Sequence, residues 1–486
     1  MKLTKKIIAV VFASMFVFSC TDDMLDEKPV TSIPLIPGEQ VIKNENDMRL
    51  VMNGMYSELA AKGAFGAKLI AIGDLISDNV FLSNANSGYY STTQRMSWGT
   101  SNNDFEHWND LYDAIALANV ILNSDLEDSD EVIKMKSNAH AARAMAFYYL
   151  LATYSANPTS GEHQELGVPI YLGDYDPNGL YPRATVAEVF DQIISDLEAS
   201  LTPQFETPED KGYLSSTASR MLLSKVYLTR GQAGDNALAK IYAEQAVNNA
   251  PGNFALIGND SETYKNYFAS ESSADSQGQP ETVWEISMSG ASNPGVNEAL
   301  GSHYSYSADF STKADLLVRQ SLYSSYADTD IRKELFSTEN VPVADNPTGV
   351  WTLKFPASVD GVSWANNIKV MRLTEALFLK WEAMTKLGEG SQAIAELNQF
   401  VTQRGGEAYT GSDYLNIVLN EKQKEFVAEG LRFYDLKRNN LPIEKGTNCE
   451  GETCTTPANH NKLTFPIPLS SLNLNPNMVP NPGYQQ

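Results

Sequence analysis

The segment STASRMLLSKVYLTRG (216–231) and its successor NALAKIYAEQAVNNAPG (236–252) constrain the fold more than any other part of the chain. Ala239, Ala246 and Pro251 have the seven-then-five spacing of the second half of a tetratricopeptide repeat. Small side chains there let two antiparallel helices pack closely, and the proline ends the second. The same plan of helix, glycine-rich turn and alanine-rich helix returns in VMRLTEALFLKWEAMTKLGEGSQAIAELNQFVTQRG (370–405). Three further segments have helical apolar spacing: 45–62 (Met48, Val51, Met52, Met55, Leu59), 105–122 (Phe105, Trp108, Leu111, Tyr112, Ile115, Ala118) and 140–154, where Ala142 and Ala146 lie one turn apart. A last helix is predicted over 413–438, with Leu419, Phe426 and Phe433 at sevenfold spacing on one face. Together these predict a mainly α fold, a superhelical scaffold of stacked tetratricopeptide-like helix pairs.

Two stretches fall outside this pattern. Residues 79–104, and the Ser-, Asn-, Gly-, Asp- and Tyr-rich stretch 253–366, lack helical period. A structureless loop as long as the second is implausible in a compact chain, so it is expected to form an appended, irregular lobe with some strands. ETVWEISM (281–288) is one such strand.

The N-terminus carries Lys2, Lys5 and Lys6, then twelve mostly apolar residues from Ile7 to Phe18, a small Ser19 and Cys20. Twelve helical residues span about 18 Å, against a bilayer core of about 30 Å, so this is a signal peptide and not a membrane span. Val17, Phe18, Ser19 and Cys20 loosely resemble a bacterial lipobox, in which the cysteine becomes the lipidated first residue. The acids behind it, Asp22, Asp23, Asp26 and Glu27, and prolines 29, 34 and 37 read as a tether. Removal of the leader's three lysines takes the net charge from −24 to −27, which excludes a basic nucleic-acid surface. Cys449 and Cys454 enclose four residues, and outside the cytoplasm that spacing reads as a short disulfide loop. Zinc held with His460 is the minor alternative, short of a fourth ligand.

The C-terminal end resembles a known family. Glu429, Gly430, Arg432, Asp435, Leu436 and Arg438 fit the E-G-x-R-x-x-D-L-x-R pattern of the last helix of SusD-like (RagB/SusD) outer-membrane lipoproteins of Bacteroidetes. Phe465 to Pro468, Asn475-Pro476 and Asn481 to Tyr484 fit the F-P-I-P, N-P and N-P-G-Y tail that follows. In matching order stand LDEKP behind Cys20, W-x-x-L-Y-x-x-I at Trp108 to Ile115, RAMAFYYL, GVPIY (167–171), YPRATVAEVFDQIISDLEASL (181–201) and MRLTEALF (371–378). Physically these residues read as scaffold. Prolines 466 and 468 hold an extended tail across helices, Gly430 admits a neighbouring backbone, and Arg432 and Asp435 are spaced to pair on the helix surface.

No catalytic signature accompanies them. Histidines 107, 140, 163, 303 and 460 form no close pair, and neither a G-x-S-x-G elbow nor a phosphate loop is present. Gly388, Gly390 and Ala393 mimic a dinucleotide fingerprint but follow a helix, so they read as its turn. Sixty acidic residues leave a glycosidase carboxylate pair undecided, and an enzyme is the runner-up to a non-catalytic binding protein. Sugar recognition needs aromatic faces beside amides, hydroxyls or arginine on surface loops. Tyr89, Tyr90, Arg95 and Trp98 in the first loop, and Tyr304, Tyr306, Trp351 and Trp364 in the lobe, meet that need. Tyr89 and Tyr90 are favoured, because neighbours in an extended loop face opposite ways and are hard to bury together. Trp108, Trp284 and Trp381 are assigned to the core.

The resemblance implies a lipid-anchored protein on the extracellular face of the outer membrane that captures a glycan and acts as the lid of a SusC-like TonB-dependent transporter. Relatives that take peptides, and a purely structural lid, are the alternatives. No cofactor is expected, with calcium among the acidic loops left open. The implied organisation is a signal peptide (1–19), tether (20–44), N-terminal helical region (45–252), inserted lobe (253–366) and C-terminal helix pairs with an extended tail (367–486).

Overall fold

Helix starts and stops are written locally, and the chain follows them. In the computed structural model, which describes residues 41–484 apart from 175, 177, 271, 308–310, 342–348, 356–358 and 450, Asn44 caps α1 (Glu45–Leu59) by accepting from the Asp47 N–H. After α2 (Lys68–Ile76) and α3 (His107–Leu122), Ser129 caps α4 (Asp130–Tyr154) through the Val132 N–H. Thr185 and Glu188 form a reciprocal capping box at α5 (Val186–Ser200). Satisfying the free N–H groups of a first turn is worth about 1 kcal/mol per cap, which sharpens each boundary.

The tetratricopeptide-like pair is α6 (Ser216–Arg230) and α7 (Asp235–Asn248). Gly231, at φ +66°, supplies the left-handed residue that ends α6. Ala239, Ala243 and Ala246 are fully buried, and the approach is close enough for the Ser224 hydroxyl to donate across the pair to the Ala239 carbonyl at 2.8 Å. A second pair, α8 (Leu373–Lys386) and α9 (Gly390–Gln403), turns at Gly388, as its pattern predicts. Around α4, Ala142 and Ala146 are fully buried, and this long helix packs against α1, α3 and α5.

Strands organise the lobe. β1 (Val80–Leu82) comes from the first non-helical stretch. β2 (Thr282–Ile286) lies within the strand predicted at 281–288. β3 (Leu316–Arg319), β4 (Phe336–Ser337), β5 (Gly349–Thr352) and β6 (Ile368–Arg372) complete the set. One sheet has the order β1-β3-β5-β4, so the first loop contributes an edge strand to the lobe. β2 and β6 pair antiparallel, Ile286 opposite Ile368, and zip the chain leaving the scaffold to the chain returning. Residues 370–372 therefore belong to a strand and not to the helix that the 370–405 pattern suggests. Trp108, Trp284 and Trp381 are all buried.

The segment 413–438 is not one helix. α10 (Tyr414–Glu425) and α11 (Arg432–Arg438) are separated by a turn with Ala428 at φ +65° and Gly430 at φ +75°. Phe426 consequently joins a smaller core with Phe378 and Phe400, while Phe433 enters the main core. Arg432 and Asp435 do not pair on a surface either. Both are buried: Arg432 grips Asp78 through Nε (2.9 Å) and Nη2 (3.0 Å), and Asp435 accepts from Lys422 (3.0 Å) and Arg438. The tail lies across the end of α4 as its prolines require. Phe465 donates its N–H to the Thr153 carbonyl and stacks on Phe105 with centroids 3.9 Å apart.

Asp74, fully buried on α2, ties these parts together. It accepts from Asn79 Nδ2 (2.5 Å), from the Gly430 N–H (2.9 Å) and from the Tyr304 hydroxyl in the lobe (3.1 Å). Burial outweighs these hydrogen bonds and pushes its carboxyl up to about 7. A raised folded-state value means that the native state holds a proton the unfolded chain has lost. The Asp74 contribution to stability therefore declines as pH rises from about 4 to about 7, by up to about 4 kcal/mol, and is level above that. The difference in urea stability between wild type and Asp74→Asn should trace that decline, and a pH-independent difference would contradict it.

Candidate functional site

One short helix, Leu300–Tyr304, assembles most of the aromatic residues singled out in the sequence. His303, fully buried, places Nδ1 2.9 Å from the Asp315 carboxylate and Nε2 3.1 Å from the Asn297 carbonyl. Asp315 also accepts from the Ser87 N–H (2.7 Å) and hydroxyl (2.8 Å), which pins the first loop to the lobe. The rings of Tyr89 and Tyr90 then both rest against the His303 imidazole, with centroids 5.4 and 5.0 Å away.

That arrangement corrects the expectation that the two tyrosines face opposite ways. Tyr90 adopts φ +59°, a left-handed conformation that breaks the alternation of an extended chain. Its ring is buried, and burial holds its phenol well above the ordinary tyrosine range. Tyr89 stays half-buried, with the Lys313 ammonium 5.9 Å from its ring.

At the end of the helix, Tyr306 is 41% exposed and stacks on Trp351 (5.9 Å, interplanar 25°), itself buried with Phe81 and Leu317. Tyr304 is fully buried, its ring stacked on Phe355 and its hydroxyl committed to Asp74. Trp364 is half-buried, and its indole N–H donates to Asn293 Oδ1 at 2.9 Å. Its carbonyl packs directly on Gly301, where a Cβ would sit 3.1 Å from it. Of the partly exposed rings, Tyr89 rests on His303 of this helix, Trp364 meets the helix through its backbone at Gly301, and Tyr306 follows it in sequence and is backed by Trp351.

Arg95 and Trp98 belong elsewhere. Trp98 is 2% exposed, donates its indole N–H to the Tyr484 hydroxyl at 2.8 Å and lies edge-on to Phe105 and Phe465. It anchors the loop to the C-terminal tail and offers no ring face to a ligand. Arg95 is exposed at the end of the short helix Ser91–Gln94, whose Gln94 donates to the Asn448 carbonyl of the Cys449–Cys454 disulfide loop. Cys20 lies outside the described residues.

Lys313 beside Tyr89 and Asn293 beside Trp364 are the polar groups in contact with these rings among the described residues. Such a surface can stack on apolar faces of a neutral, hydroxyl-rich ligand and bond its hydroxyls. Proton transfer is poorly served there, since both His303 nitrogens are engaged and the ring is buried. His107 is buried too, and burial pulls its imidazole down to about 3. Among the described residues no group of three or more His, Cys, Asp or Glu is placed to hold a metal ion, and His460 Nδ1 accepts from the Lys462 N–H. A concavity of about 580 Å³, mouth included, lies between residues 156–163 and the tail. His163, Lys437, His460 and Asn481 line it without a tyrosine or tryptophan, so it lacks stacking faces.

His303, Asp315, Gly301 and Asn293 were missed by sequence reasoning. GSHYSYS (301–307), where a histidine sits among small residues and tyrosines, was the linear signal for Gly301 and His303, and Asp315 and Asn293 had none.

Among the described residues no helix is long and apolar enough to cross a membrane. A family model described as starch-binding associating with outer membrane matches residues 23–228, and the SusD family model matches residues 321–484. SusD-like protein P2 of Formosa agariphila is 23% identical over 516 residues, spanning 96% of this chain and 97% of that protein. The structure of a SusD superfamily protein from Bacteroides vulgatus superposes with a TM-score of 0.81 at 26% identity, covering 92% of this chain and all of that one. Surface glycan-binding protein A from Bacteroides fluxus shares the fold, with a TM-score of 0.70 at 19% identity over 91% of this chain and 100% of its own. With both family models in chain order on a scaffold of helix pairs that full-length relatives share, the chain belongs to the SusD-like (RagB/SusD) family of outer-membrane-associated proteins.

Proposed function

We propose that this protein captures glycans at the cell surface and delivers them to a SusC-like TonB-dependent transporter, whose lid it forms. The observation that carries the reading is the set of Tyr89, Tyr306 and Trp364, three part-exposed rings backed respectively by His303, by Trp351 and by a hydrogen bond to Asn293. Family membership and a structural neighbour named as a surface glycan-binding protein support the ligand class. Cys20 would carry the lipid that holds the chain on the extracellular face of the outer membrane. The engaged nitrogens of His303 favour binding without turnover, and we assign no cofactor.

Isothermal titration or affinity electrophoresis against a polysaccharide panel tests this directly. Saturable binding to at least one glycan is expected, and peptide binding without any glycan binding overturns the ligand class. Tyr89→Ala, Tyr306→Ala and Trp364→Ala should each weaken affinity about five- to thirtyfold, the loss of one stacked ring. Unchanged affinity in all three would remove the site. New reducing ends after prolonged incubation with a bound glycan would contradict a non-catalytic role. Cys20→Ala should release the protein from the membrane fraction, and co-purification with a SusC-like transporter tests the partnership.

A further inference from the structure

Six arginines of this chain place the Nε and Nη2 edge of the guanidinium on a single carboxylate: Arg143 on Asp196, Arg230 on Asp235, Arg332 on Asp330, Arg372 on Glu429, Arg432 on Asp78 and Arg438 on Glu382. This edge presents two parallel N–H donors matched to an anion. Arg319, at the end of β3, breaks the rule. It is 1% exposed, and both Nε and Nη2 are buried without a hydrogen-bond partner among the described residues. Only Nη1 is satisfied, by the carbonyls of Lys445 and Thr447.

A second cation lies beside it. Lys445 is 2% exposed, and its ammonium donates to the Leu75 carbonyl at 3.2 Å. Among the described acidic groups, Asp78 alone acts on this pair, and Asp78 is already gripped by Arg432. Three cations thus share one carboxylate, inside a chain whose net charge is −24. Arg404 also has an unpartnered Nε, but the Glu425 carboxylate responds to its charge. Arg183 is balanced differently, since backbone carbonyls and an amide take all its nitrogens. Arg319 has only partial compensation, from an Asp78 carboxylate that Arg432 already holds, two carbonyls on Nη1 and the Phe81 ring 5.6 Å from its Cζ, and its Nε and Nη2 edge meets no acceptor among the described residues.

We propose that Arg319 and Lys445 bind a small monovalent anion, chloride by size and abundance, between β3 and the segment that leads into the Cys449–Cys454 loop. Burial of both side chains restricts the occupant to an ion small enough to sit within the protein, and the open guanidinium edge supplies its two directed donors. Burial first, and then the Arg319 charge, pull the Lys445 ammonium down to about 7, against the opposing pull of Asp78. An anion at the fork offsets both effects and keeps Lys445 charged. The site would lock the hairpin β7–β8 (Ile443–Glu444 paired with Thr455–Thr456) against α2 and β3, and through Gln94 against the first loop.

The test uses the whole mature protein, in sodium chloride or bromide against sodium isethionate at matched ionic strength. The wild-type Tm should rise with halide by about 2 °C or more and saturate, while Arg319→Gln should show no such rise. If Arg319→Gln fails to fold, Lys445→Met takes its place in the comparison. Crystals grown in bromide should show an anomalous peak against Arg319 Nε and Nη2. Absence of that peak, or halide responses that superimpose for wild type and variant, overturns the assignment.

Discussion

Replacing Arg372 by methionine is expected to lower the free energy of unfolding by about 3–5 kcal/mol, the cost of leaving buried carboxylates without their cation. The guanidinium is fully buried and meets three acids. Nη1 donates to Glu281 (2.5 Å) and Glu425 (3.0 Å), while Nε and Nη2 hold both oxygens of Glu429 at 2.8 and 2.9 Å. Lys354 reaches the same Glu429 at 2.5 Å, and Arg332 reaches Glu425 at 3.3 Å, so neighbours compensate only in part. Arg372 ends β6, Glu281 precedes β2, and the two glutamates flank the turn after α10. The hub therefore joins the neck of the lobe to the C-terminal helices. Urea unfolding of Arg372→Met against wild type measures the loss, and a change under about 1 kcal/mol would show that the carboxylates are satisfied without it.

The same hub sets an acid limit. Coulombic attraction from Arg404, Arg372, Arg332 and Lys354 overcomes the burial cost and holds the Glu425 carboxyl far below its usual range. Glu375, beside Lys225 and Lys422, is held down to about 2 in the same way. A depressed carboxylate contributes stability above its unfolded value near 4.5 and loses it as pH falls toward the folded value. This slope has the opposite sign to that of Asp74, so the carboxylates favour a stability maximum near pH 5.

What the linear chain discloses follows from how local each signal is. Ala239, Ala246 and Gly388 report a packing distance or a turn within their own helix pair, and the pairs form where they stand. Trp98 misleads, because its burial depends on Tyr484, which is 386 positions away. Tyr90 misleads for another reason: a left-handed φ held by the His303 and Asp315 contacts is invisible in composition. The aromatic surface was legible as a set of residue types on two loops, and which rings stay exposed was not. That selection depends on a buried histidine in a five-residue helix, a residue with no periodic or motif signal. The break between α10 and α11 is a mixed case, since Gly430 stood out as a point of backbone approach while the sevenfold spacing of Leu419, Phe426 and Phe433 argued for continuity.

Gly430 also carries the second large effect. Its φ of +75° lies where a side chain is strained by about 1–2 kcal/mol, and a Cβ there would sit 2.7 Å from the Ile70 Cα, a backbone atom that cannot rotate away. Gly73 faces it across the same contact, where a Cβ would fall 2.3 Å from the Gly430 carbonyl oxygen. The two glycines let α2 touch the turn between α10 and α11, and this approach brings the Gly430 N–H within 2.9 Å of Asp74. Alanine at 430 must push the turn off α2, adding an overpacking cost of about 1–3 kcal/mol to the strain. Separation also strips a donor from the buried Asp74 carboxylate. Gly430→Ala should therefore destabilise by about 3–5 kcal/mol, and Gly73→Ala, free of the φ penalty, by somewhat less. With its lowering donor withdrawn, Asp74 should titrate higher still in Gly430→Ala, so the fall in stability should extend further above pH 7 than in wild type. Denaturant titrations at pH 6 and pH 8 on both variants measure the two effects, and a Gly430→Ala protein as stable as wild type at both would show that α2 and the turn do not depend on this contact.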